Sequence, residues 1–306
     1  MDRRFAYGGQ AVIEGVMIRG QRYATVACRC PDGNIVTRTE ELGGRLREQT
    51  RELPVLRGML LLWETMQVGV RCLFFSSQVA DGRDPEQPMS KGAMLLAIGI
   101  SLTVSAALFF AGPLMLTAWL EPRIGHPATV TFEGLLRLLV LLGYVWAIGF
   151  VPGVRRLFEH HGAEHMAVNA YEAEAPLTIE SIRRFSVIHA RCGTNFLLTV
   201  MITSMFVFGA LGAQPFWSEL VSRVLLIPAI AGIAYEALRL TARFQDHPLL
   251  GILSRPHLEL QAFTTRQPTD EQIEVAVLAL RSVLVLDGVL DEEASPVLAP
   301  VALTVD

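Results

Sequence analysis

The 306-residue sequence predicts a mainly α protein, a polytopic membrane helix bundle with a small N-terminal cytoplasmic β element. Three observations carry that expectation. Apolar residues make up 51% of the chain and charged residues 18%, against about a quarter charged in ordinary soluble domains. Several runs are long and apolar enough to cross a bilayer, which takes about 20 residues of helix. Near the N-terminus, two strand-like runs flank a strong turn signal.

Residues 1–50 form the expected β-rich cytoplasmic segment. "RYATVACRC" and "NIVTRTEEL" lie on either side of Pro31-Asp32-Gly33-Asn34, whose residue types favour a turn between strands. Gly8, Gly9, Gly15 and Gly20 punctuate the stretch before and suggest tight turns or close backbone approach, with a ligand cradle as the alternative. "MDRRFAYGGQ" has no apolar core, so no signal peptide is expected.

Residues 51–91 read as an amphipathic helix and a linker. Arg57, Glu64, Gln67 and Arg71 recur at helical spacing over 54–79, and Pro54 suits a helix start. Such a helix lies in the interface or packs on the bundle; as a fifth span it would bury four polar groups.

Residues 92–245 hold the four expected spans, at 92–120, 134–154, 192–217 and 221–240. Pro113 is expected to kink the first, Arg137 stands near the start of the second, and Pro228 and Glu236 interrupt the fourth. Basic residues flank one side of this pattern, among them Lys91, Arg155, Arg156, Arg183, Arg184, Arg239 and Arg243, so both termini and the 155–191 connection are expected in the cytoplasm. Residues 246–290 form a cytoplasmic C-terminal segment with a helix, and 291–306 a loose acidic tail. From Asp270 to Asp306 there are eight acidic residues and one basic. No basic stripe with interleaved aromatics is present, which argues against a nucleic-acid partner. The four cysteines form no disulfide framework, and Cys28-Arg29-Cys30 has no matching second pair, so it reads as alternating strand positions.

The chemistry concentrates in "RRLFEHHGAEHMAVNAYE", residues 155–172. On a helix, His161 and His165 are one turn apart and share a face, with Glu164 at its edge. Two imidazoles at that spacing bind one tetrahedral zinc, whose open position holds a water acidified to about pKa 7, and a nearby carboxylate takes its proton. His161-Gly162-Ala163-Glu164-His165 spells H-x-x-E-H, the inverzincin order, over these five residues only. Glu164 is then the general base. Glu236, an acid within the fourth span, is the expected third ligand. His189 and Cys192, three apart in "IHARCGTNF", are the next candidates and also a thiol–imidazole pair without a visible orienting group. His160, Glu14, Asn169 and Glu172 are further candidate members. Against this stand plainer readings: solvated interfacial histidines, and an ordinary ion pair of Glu236 with Arg239 or Arg243. His126, His247 and His257 adjoin prolines and read as inert.

"GGQAVIEGVMIRG", "HHGAEHMAVNAYE", "HARCGTNFLL" and "FTTRQPTDEQIEVAV" together resemble the YqhQ-like family of bacterial membrane proteins, over about Gly8 to Val277. The resemblance implies a multi-pass protein of a bacterial cell membrane, of unknown biochemical role, in a family described as predicted metal-dependent enzymes. It also implies that the N-terminal motif, His161, Glu164, His165, His189, Cys192 and Glu236 form one recurring set. The family's common motif has lysine where this chain has Met166. The expected function is a zinc-dependent hydrolase at the cytoplasmic membrane face, acting on a peptide bond or a lipid headgroup ester. The alternatives are a transporter or channel, or an assembly scaffold with a membrane-protein partner or a second copy of the chain. The lipid bilayer is a partner in each case.

Overall fold

The structure is a computed structural model and describes residues 5–43, 53–83, 90–189, 192–212, 214–243 and 258–291. The acidic tail beyond Asp291 and two of the histidines read as inert, His247 and His257, lie outside the described residues, as does most of the linker before Ser90.

The N-terminal segment folds as an antiparallel meander, β1 Gly8–Val12, β2 Gly15–Arg19, β3 Tyr23–Arg29 and β4 Ile35–Glu41, in the order β1-β2-β3-β4. The turn at 31–34 falls where the sequence places it. Gly33 takes φ 91°, and the Asn34 amide donates to Asp32 Oδ1 at 3.0 Å. Period-two alternation gives the sheet two apolar faces. Val16, Ile18 and Ala27 point to one, and Met17, Ala24, Val26 and Cys28 to the other.

Helices cover both faces. The first receives α4 (Pro152–Glu172), the histidine helix, and α9 (Asp270–Leu286). A capping box between Thr269 and Gln272 starts α9. Ile273, Leu280 and Leu284 are among its fully buried side chains, each worth about 1.5–3 kcal/mol by removal from water. The second face receives α1 (Leu56–Ala80) through Val68, Cys72, Phe75 and Val79. The polar residues of α1 are not left bare: Glu64 pairs with Arg19, Arg71 with Glu40 and Arg57 with Glu236. One flank of α1 is therefore a docking surface for the sheet, while Trp63 and Met66 stay exposed.

The remaining helices are apolar. α2 begins as Lys91–Ala106, passes through a π-helical turn Ala107–Ala111 and ends as Gly112–Ala118. The π turn sits just before Pro113, whose missing N–H is the usual reason for a break in the helical ladder. α3 is His126–Ile148, α5 Thr194–Leu211, α6 Phe216–Leu225 and α7 Ile227–Arg243. Among the described residues four helices are long and apolar enough to cross a membrane, α1, α2, α3 and α5, and the pair α6–α7 passes the same test together, bent by 50°. Large side chains such as Leu95, Leu139, Phe206 and Trp217 are exposed on them.

Three expected spans are corrected by these boundaries; the third ends at Leu211, where Gly212 at φ 72° stops the helix, and Phe216 and Trp217 begin α6. The second starts at His126 rather than Gly134, because Gly125 at φ 79° and a proline in the first turn set the start further upstream. Arg137 thereby moves from the edge into the interior. The fourth is no single helix: Pro228 cannot donate to the carbonyl four residues back, and the chain turns at Leu226. Val130, Phe208 and Ile230 tie α3, α5 and α7 together.

Candidate metal centre

Residues from three separate segments meet on α4. His161 and His165 lie on one helical face with ring centroids 4.4 Å apart. Cys192, two residues before α5, places its Sγ 3.3 Å from His161 Nε2. A ligand atom from each of His161, His165 and Cys192 lies within 4.8 Å of the other two. These three side chains form a group that could hold a metal ion.

What holds them matters as much as their proximity. His161 Nδ1–H donates to the Thr264 carbonyl at 2.9 Å, and His165 Nδ1–H donates to the Val187 carbonyl at 2.6 Å. Each ring thus spends one nitrogen on backbone, which leaves Nε2 of neutral imidazole as an acceptor. Cys192 Sγ accepts from the Thr194 amide at 3.4 Å and lies 3.1 Å from its hydroxyl. With His161 Nδ1 already committed, one proton lies between His161 Nε2 and the Cys192 sulfur. A cation takes the place of such a proton when it binds.

The electrostatics separate the two rings. Burial pushes the His165 imidazole down, to about 3, and the neighbouring His161 adds to the effect, so His165 is neutral. Burial also acts against His161, but hydrogen bonding to Cys192 and the Glu164 charge outweigh it and lift this ring to about 9. Two imidazoles this close do not both become imidazolium cations. Burial raises the Glu164 carboxyl, opposed by His161 and by the Gly9 amide. Glu164 Oε1 accepts from Gly9 N–H at 2.8 Å, and Oε2 is buried with no hydrogen-bond partner among the described residues.

The other candidates take supporting places. Asn169 donates to the Ser186 and Ile188 carbonyls at 2.9 and 3.0 Å, which fastens the 186–189 loop to α4. His189 Nε2 lies 3.3 Å from the Glu172 carboxylate, and its ring centroid is 5.7 Å from that of His165. His160 is buried, with Nδ1 3.0 Å from the Arg156 carbonyl, and is not in the three-residue group. Glu14 pairs with Arg156 at the tip of the first hairpin. Glu236 does not join the histidines. Its carboxylate is held by Arg57 on α1, with Nε donating at 2.6 Å, so the third convergent ligand atom is the Cys192 sulfur.

Sequence reasoning missed the segment that supports the centre from behind. The 258–264 helical turn, α8, carries Gln261, which is fully buried. The Gln261 carboxamide accepts from His189 N–H at 3.0 Å and donates to the His189 carbonyl at 2.8 Å and to Asn195 Oδ1 at 3.1 Å. It clamps the loop that ends in Cys192, while Thr264 on the same turn fixes His161. Close approach continues at Gly162, where a Cβ would fall on the Arg266 carbonyl, and the Arg266 amide donates to the Phe158 carbonyl at 2.9 Å. A lone amide just upstream of "FTTR" was the available signal for Gln261; the backbone carbonyls of Val187 and Thr264 give none.

A mainly helical protein with several membrane-length apolar helices and a helix-covered sheet bearing a histidine–cysteine cluster is thereby defined. Comparison with known proteins narrows the class. The profile of the family described as "Protein of unknown function (DUF1385)" matches residues 53–286, and the chain belongs to this family. It is similar to "Uncharacterized protein YqhQ" of Bacillus subtilis (strain 168), 35% identical over 95% of this chain and 96% of that protein. No solved structure matches.

Proposed function

We propose that this protein is a membrane-embedded, metal-dependent hydrolase. Its apolar helices cross a lipid bilayer, and the sheet with α4 and α9 stands on the cytoplasmic side, where Arg155, Arg156, Arg183 and Arg184 lie. His161 Nε2, His165 Nε2 and Cys192 Sγ hold one divalent cation, zinc by the softness of the set. When bound, such an ion supplies Lewis acidity and an acidified water. Glu164 accepts and returns the proton through Oε2. Gly9 keeps the carboxylate aimed, and Thr264 and Val187 keep both rings in the metal-binding tautomer. The substrate is an amide or ester bond presented at the membrane surface, because Cys192 stands two residues before an apolar helix.

One observation carries this reading: three convergent ligand atoms, two of them on imidazoles whose other ring nitrogen is tied to a backbone carbonyl. The test is metal analysis of protein purified in detergent. One equivalent of zinc that wild-type protein binds and monodisperse Cys192→Ala protein does not supports it; zinc uptake that Cys192→Ala leaves unchanged sinks it.

The 3.3 Å contact of Cys192 with His161 favours a second reading, a thiol nucleophile with an imidazole base. The Thr264 carbonyl supplies the orienting group that the sequence did not reveal. Chelator-treated protein that keeps full hydrolytic activity and loses it to a thiol reagent would favour this reading over the metal.

A further inference from the structure

A second polar cluster lies toward the His126 end of α3, away from the end that leads into α4. Glu133 and Arg137 on α3 and Glu219 and Arg223 on α6 are all buried, none more than 9% exposed. Glu133 receives both guanidiniums, Arg137 through one oxygen and Arg223 Nη2 through the other at 2.6 Å. The Phe208 ring lies 4.3 Å from the Arg223 guanidinium carbon. These three charged groups are therefore fixed on one another.

Next to them stand an imidazole and two more acids. His126 Nδ1 is 2.7 Å from Glu121 Oε1, and a ligand atom from each of Glu121, His126 and Glu219 lies within 4.8 Å of the other two. The whole cluster has three carboxyl groups against two guanidiniums. His126 Nε2 is buried and has no hydrogen-bond partner among the described residues. A half-buried site beside apolar helices, with two carboxyl groups next to an unsatisfied ring nitrogen, suits a positive charge. His126, which reads as inert in sequence because it precedes a proline, is the centre of this arrangement.

We propose that Glu121, His126 and Glu219 bind a second divalent cation, separate from the centre on His161. One imidazole with two carboxylates is a harder set than one containing thiolate and suits Mn2+ as well as Zn2+. The ion fastens the α2–α3 connection, which carries Glu121, to α6, the first half of the bent pair. Arg137 and Arg223 do not compete for Glu121 or His126, because Glu133 holds both.

The test uses the full chain in detergent with His161→Ala and Cys192→Ala, so that the first centre is already gone, titrated with Mn2+ alone and followed by the loss of the free-ion EPR signal. One equivalent is expected. Either His126→Gln or Glu219→Gln should weaken it at least about tenfold, and Glu236→Gln should not. In the otherwise wild-type chain, which guards against a misfolded background, His126→Gln should remove one equivalent of Mn2+ or Zn2+ uptake. The proposal is overturned if no stoichiometric Mn2+ or Zn2+ binds the His161→Ala/Cys192→Ala protein, if uptake survives both His126→Gln and Glu219→Gln, or if His126 only takes up a proton. None of these outcomes depends on whether the His161 centre is metallic.

Discussion

The backbone amide of Gly9 donates to the buried carboxylate of Glu164 at 2.8 Å, which joins residues 155 positions apart in the chain. The first strand is thus part of the histidine site. Gly9 also has no room for a side chain, since a Cβ there would overlap the Met17 carbonyl on β2, whereas one at Gly8 would meet nothing within 4 Å. Gly9→Ala must shift β1 and leave Glu164 without its donor. Overpacking and an unsatisfied buried acceptor each cost about 1–3 kcal/mol. Chemical unfolding should show a loss of about 2 kcal/mol or more for Gly9→Ala and under about 0.5 kcal/mol for Gly8→Ala. Equal effects would mean the strand does not press on the site.

Metal retention should divide the acidic and sulfur candidates sharply. Cys192→Ala, His161→Ala and His165→Ala each remove one of the convergent ligand atoms. Cobalt-substituted wild-type protein should show a thiolate-to-metal absorption band that Cys192→Ala abolishes. Glu236→Gln should leave that band unchanged and instead loosen α1 from α7, because its partner is Arg57. A double-mutant cycle on Arg57 and Glu236 should return a favourable coupling, as expected of a bidentate pair. A cobalt band that vanishes with Glu236→Gln would restore the acid to the centre.

Gln261 should behave as a positioning residue. Its amide holds both backbone polar groups of His189, and its removal leaves them buried without partners. Gln261→Leu preserves volume and deletes the hydrogen bonds. Metal affinity should fall about 10–100-fold, and amide exchange at residues 186–189 and 192–195 should quicken, while exchange in α9 stays slow. An affinity change without faster loop exchange would contradict the clamp.

The elements were legible where a period or a punctuating residue wrote them. The 31–34 turn, the two strands around it, the histidine helix and the apolar character of α2, α3 and α5 follow from alternation, proline and hydropathy. Glu236 shows where that reasoning ends. An acid in an apolar helix signals that it has a partner, but not which one, and Arg57 lies 179 residues away. Cys192 was visible as a candidate, but its meeting with His161 depends on the clamp by Gln261, which has no local signature. The buried set of Glu133, Arg137 and Arg223 was equally hidden, because opposite charges on different helices leave each helix looking merely imperfect.

The remaining prediction concerns acid. Glu14 stands at the tip of the β1–β2 hairpin with φ 51°, and its carboxylate is bonded by the Arg156 guanidinium. That hydrogen bond holds the Glu14 carboxyl below its ordinary value against the opposing effect of burial, with smaller help from the charges of Arg156, His160 and Arg29. A carboxyl depressed in the folded state adds stability above its unfolded pKa, near 4.3, and loses it as pH falls through the folded value. Wild-type and Glu14→Gln proteins should therefore differ most near neutral pH and converge below about pH 4. The guanidinium is half exposed, so the plateau difference belongs to the surface range of about 0.2–1 kcal/mol. Unfolding both proteins in denaturant across pH 3–7 (roughly the span over which a carboxyl near 4.3 titrates) measures the difference directly, and common effects of Glu159 and Glu271 on Arg156 cancel in the subtraction. A gap that widens in acid would have the wrong sign and would show that Glu14 is not held ionised by Arg156.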